Sequence, residues 1–293
     1  MSKHFVAFIA FLVAGALAVA CSRKAEDARP VATPTAGLSR TDVAVGTPLD
    51  ITYRFAVAPD APPLTEDYLV FVHFLDSDRE RMWDDDHEPP VPTTQWKPGS
   101  LIEYSRTMFV PKFPYVGATT MELGLYSRTS GERLPLAGED SGMRAYRVAT
   151  FNMSLRNDSI FVIFKDGWHE TEVADDGSQE WQWSKKQGTI SFKNPKADVI
   201  LMLELDQPVT AVDPPQRVEI RFGDTAVDTF SLPPTIRELR RVALSQAQLG
   251  TSENVEVAIT VDRTFVPSAI PALRSSDPRE LGVRVFRAYV EPK

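Results

Sequence analysis

Strict alternation of apolar and polar residues recurs along the chain and first appears over 49–57. There Leu49, Ile51, Tyr53, Phe55 and Val57 face one way and Asp50, Thr52 and Arg54 the other, the pattern of a strand buried on one face. Residues 68–76 (YLVFVHFLD) are apolar on both faces, so a central strand covered on each side is expected. Residues 101–109 and 121–126 carry further strand signals, separated by turns rich in Pro and Gly. Ser130-Gly131, within 127–132, permits a positive φ and marks a hairpin turn. No segment of this half holds a helical period.

The polar stretch 152–158 has no periodicity and places a domain boundary. Beyond it alternation returns in Val199, Leu201, Leu203 and Leu205, then in Val218, Ile220 and Phe222, then in Val255, Val257, Ile259 and Val261. Gly223-Asp224 reads as a hairpin turn. Residues 236–249 leave room for one short helix or turn between Pro233-Pro234 and Gly250. A closing strand over 281–290 puts Gly282, Arg284, Phe286, Ala288 and Val290 on one face and Val283, Val285, Arg287 and Tyr289 on the other. The expected fold is all-β, with two β-sandwiches in tandem over 38–151 and 152–293.

The first residues change this picture by giving the chain an address. Lys3 followed by the apolar run 5–20 has the form of a secretory signal, too short to span a bilayer comfortably. Ala18-Val19-Ala20-Cys21 resembles the bacterial lipobox, with Leu17 one position earlier than the preferred Leu. That resemblance implies cleavage after residue 20 and a lipid on Cys21, with acyl chains such as palmitate. Cys21 is the single cysteine of the chain and has no partner for an internal disulfide. Residues 21–37 mix charges, Pro30, Pro34 and small residues, as a flexible lipidated tether would. Ser22 in place of Asp implies the periplasmic face of the outer membrane rather than the inner membrane. After Ala20 no apolar stretch approaches bilayer length, so contact of the mature chain with the membrane is expected through its N-terminus. With 32 basic against 40 acidic residues and a net charge of −8, no overall basic field exists to draw nucleic acid.

Two stretches resemble known modules. Val72-His73-Phe74-Leu75-Asp76, the run 92–99 (PTTQWKPG), Leu123-Gly124-Leu125-Tyr126 and 131–136 (GERLPL) resemble an immunoglobulin-like sandwich appended to bacterial polytopic membrane proteins, mannosyltransferase-like glycosyltransferases among them. Gly167-Trp168-His169-Glu170, Trp181-Gln182-Trp183, Phe265-Val266-Pro267 and 276–283 (SDPRELGV) are similar to a jelly-roll, galactose-binding-like module found beside bacterial glycosyltransferase domains. The resemblance implies an accessory role without a transferase domain.

No catalytic constellation is expected. The G-x-S-x-G elbow, the phosphate loop and H-E-x-x-H are absent, and only His73, His87 and His169 follow the signal. No cofactor and no metal are expected: the acidic knot Asp84-Asp85-Asp86-His87-Glu88 lacks calcium-loop spacing and reads as a solvated loop. Asp175-Asp176-Gly177 reads as a turn, and Asp277-Pro278-Arg279-Glu280 as a latch into the last strand. Trp181 and Trp183, two apart on a strand, place both indoles on one face. Two readings stand. With Trp168 and Gln182 they form a carbohydrate-binding face, aided by Gln179 or Glu180; or the indoles fill the second core. The expected function is a lipid-anchored, non-catalytic envelope protein that binds a neutral or weakly charged polysaccharide through its second domain. The alternative is a scaffolding subunit of an envelope polysaccharide assembly or export complex, which would bury the indoles and expose an apolar patch or sheet edge elsewhere.

Overall fold

Alternating residues become strands here because each pairs with a neighbour that buries the same face. The structure, a computed structural model, describes residues 29–155, 159–177, 179–209 and 214–293. The signal segment and Cys21 lie outside the described residues. The chain divides into two units, one ending at Ser154 and the other running from Leu155 to Lys293. Asn152 and Met153, placed beyond the boundary by their polarity, still belong to the last strand of the first unit.

In the first unit, β1 (Ala32–Leu38), β2 (Asp42–Ala44), β3 (Pro48–Val57), β4 (Tyr68–Leu75), β5 (Arg81–Asp84), β6 (Leu101–Phe109), β7 (Gly117–Ser127), β8 (Glu139–Asp140) and β9 (Tyr146–Ser154) form two sheets. One has the order β1-β3-β6; the other is β2-β9-β7-β4-β5, with β8 beside β9. The β2–β9 pair is parallel. Leu49, Ile51, Tyr53 and Phe55 meet Val70, Val72 and Phe74 in one core. The second face of β4 is covered as well, with the Arg133 guanidinium 4.0 Å from the Phe71 ring centre. Ser127 N–H donates to the Glu132 carbonyl at 2.9 Å and Gly131 has φ +72°, closing the hairpin turn.

The tether expected up to residue 37 ends earlier, because Ala32–Leu38 pairs antiparallel with β3 along its whole length. Small residues hid its alternation: Ala32 and Pro34 are buried while Thr33 and Thr35 are exposed. β1 is a terminal strand of its sheet, where a proline is tolerated.

The second unit contains β10 (Val162–Phe164), β11 (Glu172–Val173), β12 (Glu180–Trp183), β13 (Gln187–Lys193), β14 (Val199–Asp206), β15 (Gln216–Phe222), β16 (Thr225–Leu232), β17 (Glu238–Leu244), α1 (Gln246–Leu249), β18 (Asn254–Val261) and β19 (Arg284–Pro292). They build two five-stranded antiparallel sheets, β10-β13-β18-β15-β16 and β11-β12-β19-β14-β17. Between them lie Leu201, Leu203, Leu205, Val218, Ile220, Val257 and Ile259, all fully buried. The protein is therefore an all-β molecule of two tandem β-sandwiches.

Two expectations are corrected here. Most of 236–249 is strand β17, paired with β14 from Val199↔Leu244 to Leu205↔Glu238, and only one turn of helix follows, closed by a Ser245–Gln248 capping box. Cross-strand pairing overrides helix propensity. The closing strand does not keep one alternation, since a bulge shifts the register between Glu204↔Arg287 and Leu205↔Val285. The extra residue, Phe286, lets Val283, Val285 and Val290 all enter the core.

Candidate functional site

The four residues singled out for carbohydrate lie in three environments. Trp183 pairs with Arg284 and Gln182 with Val285, so adjacent positions of β12 face opposite sides of its sheet. Trp181 and Trp183 share the side away from the main core, as the spacing requires. That side is roofed: Trp183 is buried in a satellite cluster with Val209, Phe265 and Leu281, while Trp181 is half-buried at its margin with Ile270 and Leu273. Trp168 packs at the rim of the main core, its N–H donating to the Thr189 carbonyl at 2.8 Å and its ring against Gly188. The Gln182 amide donates to the Thr171 hydroxyl at 2.7 Å.

Beside Trp181 the outer face is a stack of cations and rings. The Arg237 guanidinium lies 3.6 Å from the Phe286 centroid, and that of Arg284 lies 4.9 Å from Phe286 and 5.0 Å from Trp181. Arg284 is held by two bonds to Asp206 at 2.8 and 2.7 Å, and Arg237 donates to Gln179 at 2.7 Å. Cations thus already occupy these rings, leaving little open aromatic face. The roof is latched by Arg279, which donates to both Asp277 oxygens and pairs with Glu172 at 2.7 Å. These carboxylates push the guanidinium pKa up, and Arg279 in turn holds the Asp277 carboxyl below its ordinary value.

An open concavity lies on the other sheet, at the β10 edge. It is a cleft of about 630 Å³ whose walls include Ile160, Phe161, Ile163, Phe192 and Pro195. Phe161 is 80% exposed and Ile163 47%, although both stand on a packed sandwich. Ser191, Lys193 and Asn254 add polar groups to the lining. Pairing places them side by side, with Ile163 opposite Ser191 and Lys193 opposite Asn254. The floor is rigid: the Asn194 amide donates to the carbonyls of Leu249, Gly250 and Ser252, and its oxygen accepts from Lys196 N–H. No sequence signal pointed here, because one exposed Phe just ahead of a short strand carries no motif.

The first unit holds a buried polar cluster where the acidic knot was expected to be a solvated loop. Asp85 accepts from the Tyr53 hydroxyl at 3.2 Å and from Arg106 at 3.3 and 3.1 Å, and its side chain is only 15% exposed. Asp86 caps Val72 N–H at 3.0 Å. His87 Nδ1–H donates to the Asp85 carbonyl at 2.7 Å, which leaves Nε2 to accept from the Tyr104 hydroxyl at 2.8 Å. Burial pushes the His87 imidazole below its ordinary pKa and the Tyr53 and Tyr104 phenols well above theirs. Since β5 and β6 are terminal strands of facing sheets, the cluster bolts together the open side of the sandwich. Each of these members has a structural partner within the fold. Among the described residues no group of His, Cys, Asp and Glu is arranged to hold a metal ion.

No family model matches the chain, and no curated protein matches it. Solved structures with a likeness include SGBP-B of the Bacteroides ovatus mixed-linkage glucan utilization locus, in complex with a mixed-linkage heptasaccharide (11% identity, TM-score 0.26, 86% of this chain and 50% of that one). Another is the CBM22-1–CBM22-2 tandem of Paenibacillus barcinonensis Xyn10C (7%, 0.26, 85% and 80%). A third is the 4-O-methyl-α-glucuronidase BtGH115A (14%, 0.32, 50% and 19%). The chain spans half of the first of these, four fifths of the second and about a fifth of the third. These likenesses equate none of its residues with a site in another protein.

Proposed function

We propose that this chain is a non-catalytic glycan-binding protein of a bacterial cell envelope, anchored through lipid on Cys21, and that its second sandwich takes the glycan in the cleft beside β10. One observation carries the reading: the Phe161 ring stands open at the mouth of a cleft whose polar groups lie beside it. A ring face offers apolar contact to the C–H side of a sugar, while a hydroxyl, an amide and an ammonium serve its oxygens. The platform moves from Trp181 and Trp183 to Phe161 because the indoles are roofed or stacked under arginine. The roles suggested by likeness to glycosyltransferase accessory modules, and the periplasmic face of the outer membrane as location, belong to this same reading.

The test is a glycan pull-down with wild type, Phe161→Ala and Trp181→Ala, folding being followed in parallel. Loss in Phe161→Ala alone supports the cleft; loss in Trp181→Ala alone returns the site to β12. Removing the ring should weaken binding by on the order of ten- to a hundredfold if sugar stacking resembles base stacking. For the anchor, Cys21→Ser should abolish fatty-acid labelling and release the protein from membranes; a variant that still labels refutes it.

A scaffolding role is the second reading, favoured by the exposure of Leu155 (73%), Phe161 and Ile163 around the terminal strand β10. Asn254→Ala separates the two, since it removes a sugar hydrogen bond and leaves the apolar patch whole.

A further inference from the structure

Resting on the cleft reading, we infer that the glycan taken beside β10 carries a singly charged anionic substituent, held by Lys193. Among the described residues of the lining, Lys193 is the only charged one. Among the described residues its ammonium forms no ion pair and no hydrogen bond, whereas Arg106, Arg240, Arg279 and Arg284 are each committed to a carboxylate. The neighbouring Ser191, 4% exposed, adds a hydroxyl to the lining, and Asn254 on the adjacent strand adds an amide opposite Lys193.

The pairing sets the geometry of the ligand. Lys193 lies opposite Asn254, and Ser191 lies two positions from Lys193 on β13, on the same face. Adjacent strands are about 4.8 Å apart. Positions two apart on a strand are about 7 Å apart, so a hydroxyl, an amide and an ammonium spread over roughly 5–8 Å match two sugar hydroxyls and one charged group along a glycan. The charge is one rather than many. Glu253 and Glu256 flank Asn254 in sequence, and the whole chain is net −8, so a dense polyanion is repelled while one local pair with Lys193 is kept. A lone lysine also lacks the fork that recognises a doubly charged phosphate in bidentate fashion. This narrows the expectation of a neutral or weakly charged polysaccharide to one bearing isolated carboxylate or sulfate groups.

The experiment is calorimetric titration of the mature protein with uronic-acid oligosaccharides, their carboxyl-reduced neutral counterparts, and O-sulfated oligosaccharides of the same backbone. The charged forms should bind about three- to tenfold more tightly at low salt, the advantage shrinking as salt rises. Lys193→Gln should erase the advantage of the charged forms over the neutral one, and Lys193→Arg should retain most of it. Preference for the uronate or for the sulfate arm names the source of the charge. Equal affinity for charged and neutral forms, with Phe161→Ala abolishing both, overturns the role of Lys193 and leaves the glycan reading standing. If the folded protein binds none of the three sets, Lys193 has no such role and the cleft reading loses its support as well.

Discussion

Asp85→Ala is the substitution whose cost the structure fixes most closely. It removes the acceptor of the Tyr53 hydroxyl and both bonds to Arg106. The Arg106 side chain is 38% exposed, so water replaces much of what it loses, and the pair itself contributes about 1 kcal/mol. Tyr53 is 0% exposed and its hydroxyl would be left without a partner, costing about 1–3 kcal/mol. The sum, about 2–4 kcal/mol, lowers the melting midpoint of the first unit by roughly 8–16 °C at about 4 °C per kcal/mol. Scanning calorimetry on the full chain should show one transition moving and the other staying, because the partners Asp85 loses, Tyr53 and Arg106, belong to the first unit. The sharper test is the cycle with Tyr53→Phe. Alone, Tyr53→Phe should cost about 1 kcal/mol; on Asp85→Ala it should cost nothing or stabilise, since the orphaned hydroxyl disappears. Additive costs would refute the clasp.

Three further outcomes follow. Burial holds His73 and His87 below their ordinary pKa, so the unfolded chain binds more protons than the folded one. The first unit should keep its full stability above about pH 6.5 and lose it as pH falls through the folded values, and His87→Gln should flatten the melting-versus-pH curve; an unchanged slope would count against this. Gly188→Ala would bring a Cβ to 2.5 Å from the Trp168 ring, so denaturant titration should show a loss of about 1–3 kcal/mol with a shifted indole emission. Arg279→Ala should loosen the roof over Trp183 and raise acrylamide quenching while global stability moves by no more than about 1 kcal/mol; unaltered quenching would show that the apolar cluster alone holds the roof.

The fold was legible wherever large residues alternate. Leu49 to Val57, Val199 to Leu205 and Val255 to Val261 each announce a buried face because Leu, Ile and Val leave no doubt about the inward side. It was illegible where the inward residues are small or the period breaks. Ala32 and Pro34 bury as completely as larger residues yet carry no hydropathic signal, so β1 read as tether. The bulge at Phe286 depends on the register of β14, a partner some eighty residues away, and no local pattern encodes it.

The candidate site shows the same division for a different reason. Sequence spacing put Trp181 and Trp183 on one side of a strand, as they are, but exposure depends on what crosses above them. That cover is residues 265–281, which bring Phe265, Ile270 and Leu281 over the indoles from a distant part of the chain. The reverse holds for Phe161, ordinary in sequence and open because β10 ends its sheet. Whether an aromatic residue is open here depends on its neighbours in space and not on its neighbours in sequence. The abundance of arginine over the outer face of β19 has a consequence of the same kind: it uses the rings of Trp181 and Phe286 to hold Arg284 and Arg237 in place. Rings stacked under guanidinium are committed to the fold. Phe161, 80% exposed beside the polar lining of the β10 cleft, carries no such commitment, which is why the proposed glycan platform rests on it.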